Sequence, residues 1–220
     1  MKIFGIGLSR TGTRSLRAAL EMLGYKAVHY TTTVKLLSYT GSGLEINYDI
    51  SDQFDALVDT PVTRIYPELD RRYPNSKFIL TVREMKGWLR SCQYSQLYQV
   101  SSKEELEMRL RRPSRYDQLH LDLYDSIYFD EKKFRRAYEE HIKNVFQYFK
   151  GREQDLLVMN VCGGEGWEKL CPFLNCEIPR RLFPIRGARR GEPLERLEYY
   201  LKRPAQIPGM LKRKLEKVFS

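Results

Sequence analysis

Gly5-Ile6-Gly7-Leu8-Ser9-Arg10-Thr11-Gly12-Thr13-Arg14-Ser15, GIGLSRTGTRS, follows a short apolar run at the start of the chain. It leads into a segment where Leu16, Leu20 and Leu23 share one helical face and Gly24 supplies the stop. A glycine-rich turn between a strand and a helix aims several backbone N–H groups at one point, and the helix dipole adds positive charge there, so the stretch predicts an anion site. Arg10 contributes a planar cation, and the hydroxyls of Thr11, Thr13 and Ser15 are further donors. Gly7 and Gly12 have the spacing of the nucleotide loop G-x-x-x-x-G-K-[ST], but Thr13 stands where the lysine belongs. A dinucleotide-binding reading fits less well, because Arg10 takes the place of the third glycine and no acidic residue clearly ends the second strand.

Outward from this loop, short apolar runs alternate with helix-like segments. KIFGIG is followed by a helix over 13–23, then KAVHY, FDALVD, a helix over 62–73, a strand over 77–82 and a helix over 85–98. That alternation predicts an α/β protein, a P-loop NTPase-like parallel sheet flanked by helices. Residues 103–150 are highly charged and helical in pattern, with Phe134, Tyr138, His141, Val145 and Phe149 as an apolar stripe. We read about 93–150 as a helical lid over the sheet, DLLVMNV as a last core strand, GWEKLCPFL as a helix, and about 186–220 as a basic tail interrupted by prolines.

With 220 residues and 42% hydrophobic content, the chain suits one domain over 1–220. A formal charge of +10 favours an anionic ligand, substrate or surface. The start of the chain has no leader pattern and no segment reaches the length of a membrane span, so a cytoplasmic protein without stable membrane insertion is expected. Cys92, Cys162, Cys171 and Cys176 show no zinc-type spacing and are read as reduced and mostly structural.

The SRTGTRS segment resembles the 5′-phosphosulfate loop of the sulfotransferases that use 3′-phosphoadenosine 5′-phosphosulfate (PAPS), with Arg10 in place of the lysine typical of their cytosolic branch. A second block, VDTPVTRIYPELDRRYPNSKFILTVREMKGWLRSC, is similar to the family segment in which a catalytic residue before x-P leads through a helix to a strand ending in V-R. Ser91 follows Arg83 by the family's eight positions. LLVMNVCGGEGWEKLCPFLNCEIP resembles the late strand and helix of a compact, mostly microbial sulfotransferase family. Two features depart from the pattern: Ser15-Leu16 replaces a tryptophan that often follows the loop, and the basic C-terminal loop is only echoed by IRGARRGE, with Arg186, Arg189 and Arg190.

The resemblance implies transfer of a sulfuryl group from PAPS to a hydroxyl or amine of a small-molecule, glycan or peptide acceptor, with no metal and no nucleic acid. It implies that Ser9, Arg10, Thr11, Gly12, Thr13, Arg14 and Ser15 hold the phosphosulfate, and that Arg83 and Ser91 hold the 3′-phosphate. Arg10 then faces charge developing at the leaving group, acting by hydrogen bonding because a guanidinium keeps its proton. Asp59, ending a strand before Thr60-Pro61, takes the place of the family's catalytic base, and His29, at the end of the second strand, can share or supply that role. Asp59 as a helix cap, a P-loop kinase or NTPase, and a non-catalytic anion or nucleic-acid binder are the competing readings. His141 is expected to pack, and His120 has no motif around it.

Overall fold

The computed structural model describes residues 1–40 and 43–187. Its strands are β1 (Ile3–Gly5), β2 (Ala27–Val28), β3 (Leu37–Thr40), β4 (Gly43–Ile46), β5 (Ala56–Val58), β6 (Lys77–Thr81) and β7 (Leu156–Met159). Five of them form a parallel sheet in the order β2-β5-β1-β6-β7, which puts the strand that feeds the glycine loop in the centre. Alternate residues of a strand face opposite sides, so β1 sends Ile3 to one core and Phe4 to the other.

The first core is closed by α1 (Thr13–Met22) and by α9 (Trp167–Leu174), whose Leu16, Leu20, Trp167 and Leu170 pack on Val58, Ile79 and Met159. Between these helices lie α2 (Tyr30–Thr33), α3 (Tyr48–Asp52), α4 (Val62–Arg72), α5 (Met85–Gln93), α6 (Lys103–Arg111), α7 (Arg115–Tyr124) and α8 (Glu131–Tyr148). On the opposite face, Ile65 and Leu69 of α4 and Val145 of α8 cover Leu57, Phe78 and Leu80. A third cluster lies past the strand ends, where Leu8, Trp88, Tyr98, Tyr124, Phe134 and Tyr138 pack together.

The expected stripe of α8 is present: Phe134, Tyr138, Val145 and Phe149 are buried. Because Val145 and Phe149 join the second core, α8 is a layer of the sheet rather than a loose cover. The peripheral part of the 93–150 segment is α6, which buries none of its residues. Ser114 and Asp117 start α7 with a reciprocal cap, each side chain bonding the other's backbone N–H.

The expected 85–98 helix ends at Gln93 and passes into a separate turn over Gln96–Tyr98. The antiparallel β3–β4 pair is an element that the sequence pattern did not announce. Its strands are short and largely polar, and Leu37, Tyr39, Leu44 and Ile46 are recruited to the second core by tertiary packing rather than by a strong period. Among the described residues, all four cysteines are free, and no helix is long and apolar enough to cross a membrane. Most of the basic tail, 188–220, lies outside the described residues.

Candidate active site

Parallel strands end on the same edge, so the segments after β1, β2, β5 and β6 bring the predicted site residues together. At the centre the loop passes very close to β6. A Cβ on Gly7 would lie 2.0 Å from Thr81 Oγ1 and 2.5 Å from the Thr81 carbonyl, so only glycine fits. Gly12 has φ 102°, the left-handed conformation that glycine adopts without strain, and it precedes α1. Thr11 Oγ1 donates to the Leu8 carbonyl (2.6 Å) and lies 2.6 Å from Thr81 Oγ1, while Thr63 Oγ1 and Trp88 Nε1 donate to the carbonyls of Gly7 and Ser9 (both 2.9 Å).

The hydroxyls of the loop are therefore directed into the protein. Thr11 locks the turn, Thr13 turns to Asp59 and His29, and Ser15 Oγ accepts from the backbone of Arg186 (2.9 Å). The outward-facing donors are backbone N–H groups: α1 starts without a side-chain cap and without an acidic residue in its first turn. Arg14 is exposed beside them, and Gly187 lies against its side chain, so the described start of the basic tail returns to the loop. Arg189 and Arg190 lie outside the described residues.

Asp59 is 3% exposed, and both of its oxygens are engaged. Oδ1 accepts from Ser9 Oγ (2.7 Å) and the Thr60 N–H (2.8 Å); Oδ2 accepts from Thr13 Oγ1 (3.2 Å) and is 2.8 Å from His29 Nε2. Burial alone would push this carboxyl up, yet the hydrogen bond and charge of His29, with the Ser9 hydroxyl and Thr60 amide, hold it below its ordinary value. Arg10 (φ 75°) and Asp59 (φ 76°) both occupy the left-handed region, a conformation that costs a non-glycine residue on the order of 1–3 kcal/mol and concentrates at functional sites.

The arginines form the second half of the site. Arg10 Nε donates to Ser91 Oγ (3.1 Å), and Arg83 Nη1 reaches the Arg10 carbonyl (3.4 Å). The sequence reading set Arg10 apart at the sulfate end; here its guanidinium lies with the Arg83/Ser91 pair, and one cationic cluster joins the loop to β6. Arg83 is fixed by Tyr138, whose hydroxyl accepts from the Arg83 N–H (2.9 Å) and donates to the Arg83 carbonyl (2.6 Å).

A family model described as a sulfotransferase domain matches residues 2–190, which include every group named above. The chain belongs to the sulfotransferase domain family. A relative in Aspergillus versicolor, "Ava biosynthesis cluster protein M", is 27% identical over 216 residues, covering 84% of this chain and 80% of its own. The family membership supports a transferase activity for the chain.

Of the other two histidines in this sulfotransferase-family chain, His141 packs as expected, with Nε2 2.8 Å from the Ile6 carbonyl. His120, without a motif around it, is fully enclosed beside Tyr98 and Tyr124. Sequence reasoning also missed Tyr138. Its position on the α8 stripe marked it as buried, but nothing local to it pointed to Arg83.

Proposed function

We propose that this chain transfers the sulfuryl group of PAPS to a hydroxyl. One observation carries the reading: an uncapped helix N-terminus and an Arg10/Arg83/Ser91 cluster that runs from the loop to the end of β6 share one sheet edge with a buried His–Asp pair. Two anion sites suit a nucleotide bearing phosphates at both ends of its ribose, and the residues present fit PAPS. The N–H groups of the loop and of α1 hold the phosphosulfate, with Gly7 and Gly12 allowing the backbone turn that presents them. Arg83 and Ser91, tied to the loop by Arg10, hold the 3′-phosphate.

PAPS supplies an electrophilic sulfur and a phosphate leaving group. His29 turns Nε2 to Asp59, so Nδ1 is the nitrogen that takes the acceptor proton while the acceptor oxygen bonds to sulfur and the bond from sulfur to the phosphate oxygen breaks. Asp59 orients His29 and stabilises the imidazolium that forms; with four hydrogen bonds already accepted, it is poorly suited to take the proton itself. This division of labour replaces the reading that made Asp59 the first candidate for the base and gives that role to His29, the second candidate. The name of the Aspergillus relative, a biosynthesis cluster protein, favours a small-molecule acceptor over a glycan or peptide.

Thermal unfolding with adenosine 3′,5′-bisphosphate tests the assignment. At a hundred times its Kd the bisphosphate should stabilise the fold by about 2.7 kcal/mol, without magnesium and well beyond ADP. Equal stabilisation by ADP, or a requirement for magnesium, overturns it in favour of a kinase or NTPase. Strong salt dependence without any nucleotide preference points instead to a non-catalytic anion binder.

A further inference from the structure

We propose that Tyr30 Oη and His120 Nδ1 bind the acceptor, and that the acceptor is a phenol, a planar aromatic ring carrying the hydroxyl to be sulfated. This rests on the sulfuryl-transfer reading above and names the substrate class for the same site.

The helix α7 places Tyr116, His120 and Tyr124 four residues apart, on one face. The Tyr30 ring lies 5.5 Å from that of Tyr116 at one end, and the Tyr98 ring lies 5.1 Å from His120 and 5.6 Å from Tyr124 at the other. Tyr30 directly follows His29 in sequence, so this aromatic face begins at the proposed base. The negative charge of Asp59 is felt at Tyr30, His120, Tyr98 and Tyr124 alike. Tyr116 is exposed and gives the face an open end.

Two polar atoms here are buried without a hydrogen-bond partner: Tyr30 Oη and His120 Nδ1, the latter in a residue only 3% exposed. Buried polar groups in folded proteins nearly always have partners, so a pair of orphans on one aromatic surface points to a ligand that supplies them. The nearby charged groups are already occupied. Asp117 accepts from Arg109 and Ser114, and Asp122 from Tyr39. A neutral ligand therefore suits the face. Flat rings favour a flat partner, and two polar atoms are too few for the many hydroxyls of a sugar. A phenolic hydroxyl also ionises near a pH of about 10, closer to an imidazole base than an ordinary alcohol.

The test uses the full chain saturated with adenosine 3′,5′-bisphosphate and titrates 2-naphthol and cyclohexanol by calorimetry. Wild type should bind naphthol well ahead of cyclohexanol. Tyr30→Phe and His120→Asn should each weaken naphthol binding by about three- to tenfold, the size of one hydrogen bond, with bisphosphate affinity unchanged. Tyr30→Phe should also melt at a higher temperature without ligand, because an unpaired buried hydroxyl has gone. Unaltered naphthol binding in both variants overturns the proposal, as does wild-type naphthol binding no tighter than cyclohexanol. Failure of the bisphosphate itself to bind sinks the sulfuryl-transfer reading, whereas bisphosphate binding without naphthol binding sinks this inference alone.

Discussion

The loop edge and the aromatic face of α7 lie side by side, and their polar groups are in opposite conditions. Around Asp59 both carboxylate oxygens, Ser9, Thr13 and the Thr60 amide bond one another, and Thr11 and Ser15 are tied into the loop. Across α7, Tyr30 and His120 hold buried polar atoms that nothing in the protein satisfies. One half of the site is assembled before any ligand arrives, and the other is completed by one. Preorganisation of the first kind serves chemistry, since donors and charges that are already placed need no rearrangement as charge develops.

The most forceful way to break this contrast is to disturb the assembled half. Asp59→Asn replaces an oxygen that accepts with an NH2 group that faces donors. Turnover should fall roughly 10²- to 10⁴-fold, and the melting temperature should drop with it. His29→Gln should lose turnover comparably while melting close to wild type. Steady-state rates and thermal scans on both variants decide it. If Asp59→Asn keeps its rate, the carboxylate is structural, and since α4 starts at Val62 without a side-chain cap its network serves to tie the glycine loop to the end of β5 rather than to cap the helix.

A smaller effect probes the unsatisfied half through acid. Burial lowers the pKa of His120 to about 4 from its ordinary 6.5, with Arg109 lowering it further and Asp117 and Asp59 opposing. Above the ordinary value the ring is neutral whether the chain is folded or not. As the pH falls from there, the unfolded chain takes up the proton first, so stability declines until the folded value is reached. The decline attributable to His120 should be up to about 3 kcal/mol. Urea midpoints across this range should fall less steeply for His120→Asn than for wild type. The lowered carboxyl of Asp59 contributes in a separate window: its support is full above the ordinary carboxylate value of 3.8 and is lost only as the pH falls through the still lower folded one. Parallel curves for wild type and His120→Asn would mean that the ring is not held neutral by the fold.

The smallest of the three effects sharpens the assembled half internally. Arg83→Ala should weaken adenosine 3′,5′-bisphosphate by about 2–3 kcal/mol, as expected for a charge-assisted contact, and leave AMP nearly untouched. Because Arg10 bonds Ser91, Arg10→Ala should erode the same preference. Calorimetry with both nucleotides checks both variants. A preference that survives in Arg10→Ala returns Arg10 to the sulfate end, where its loss falls on kcat.

What could be read from the sequence depended on how far each signal reached along the chain. The glycine loop, Asp59 before Thr60-Pro61, and Ser91 eight positions after Arg83 are set by local geometry, a turn or a strand passing into a helix, and so they leave a spacing. His29 was found because a parallel strand order carries every C-terminal strand end to one edge. The inward turn of Thr11 and Ser15 was not legible, because a hydroxyl's partner depends on Thr81 and Arg186, far away in sequence. Tyr30 and His120 left no trace either. A missing partner is a property of the packed molecule, and no residue pattern encodes it.

The single hydroxyl of Tyr138, pairing with both the N–H and the carbonyl of Arg83, does for that residue what an adjoining strand does for its neighbour. The sheet's edge is in effect extended by a side chain, and the arginine proposed to meet the 3′-phosphate is held by a helix anchored deep in the core. The proposed acceptor side would be carried by α7, whose neighbour α6 buries nothing. Substitutions confined to α6 can accumulate without shifting Arg83, whereas those at Tyr124 of α7 reach Phe134 and the helix that holds Tyr138. The scaffold thus separates a fixed chassis from a loosely packed front, and an engineer seeking new acceptors should randomise α6 first and leave Tyr138 in place.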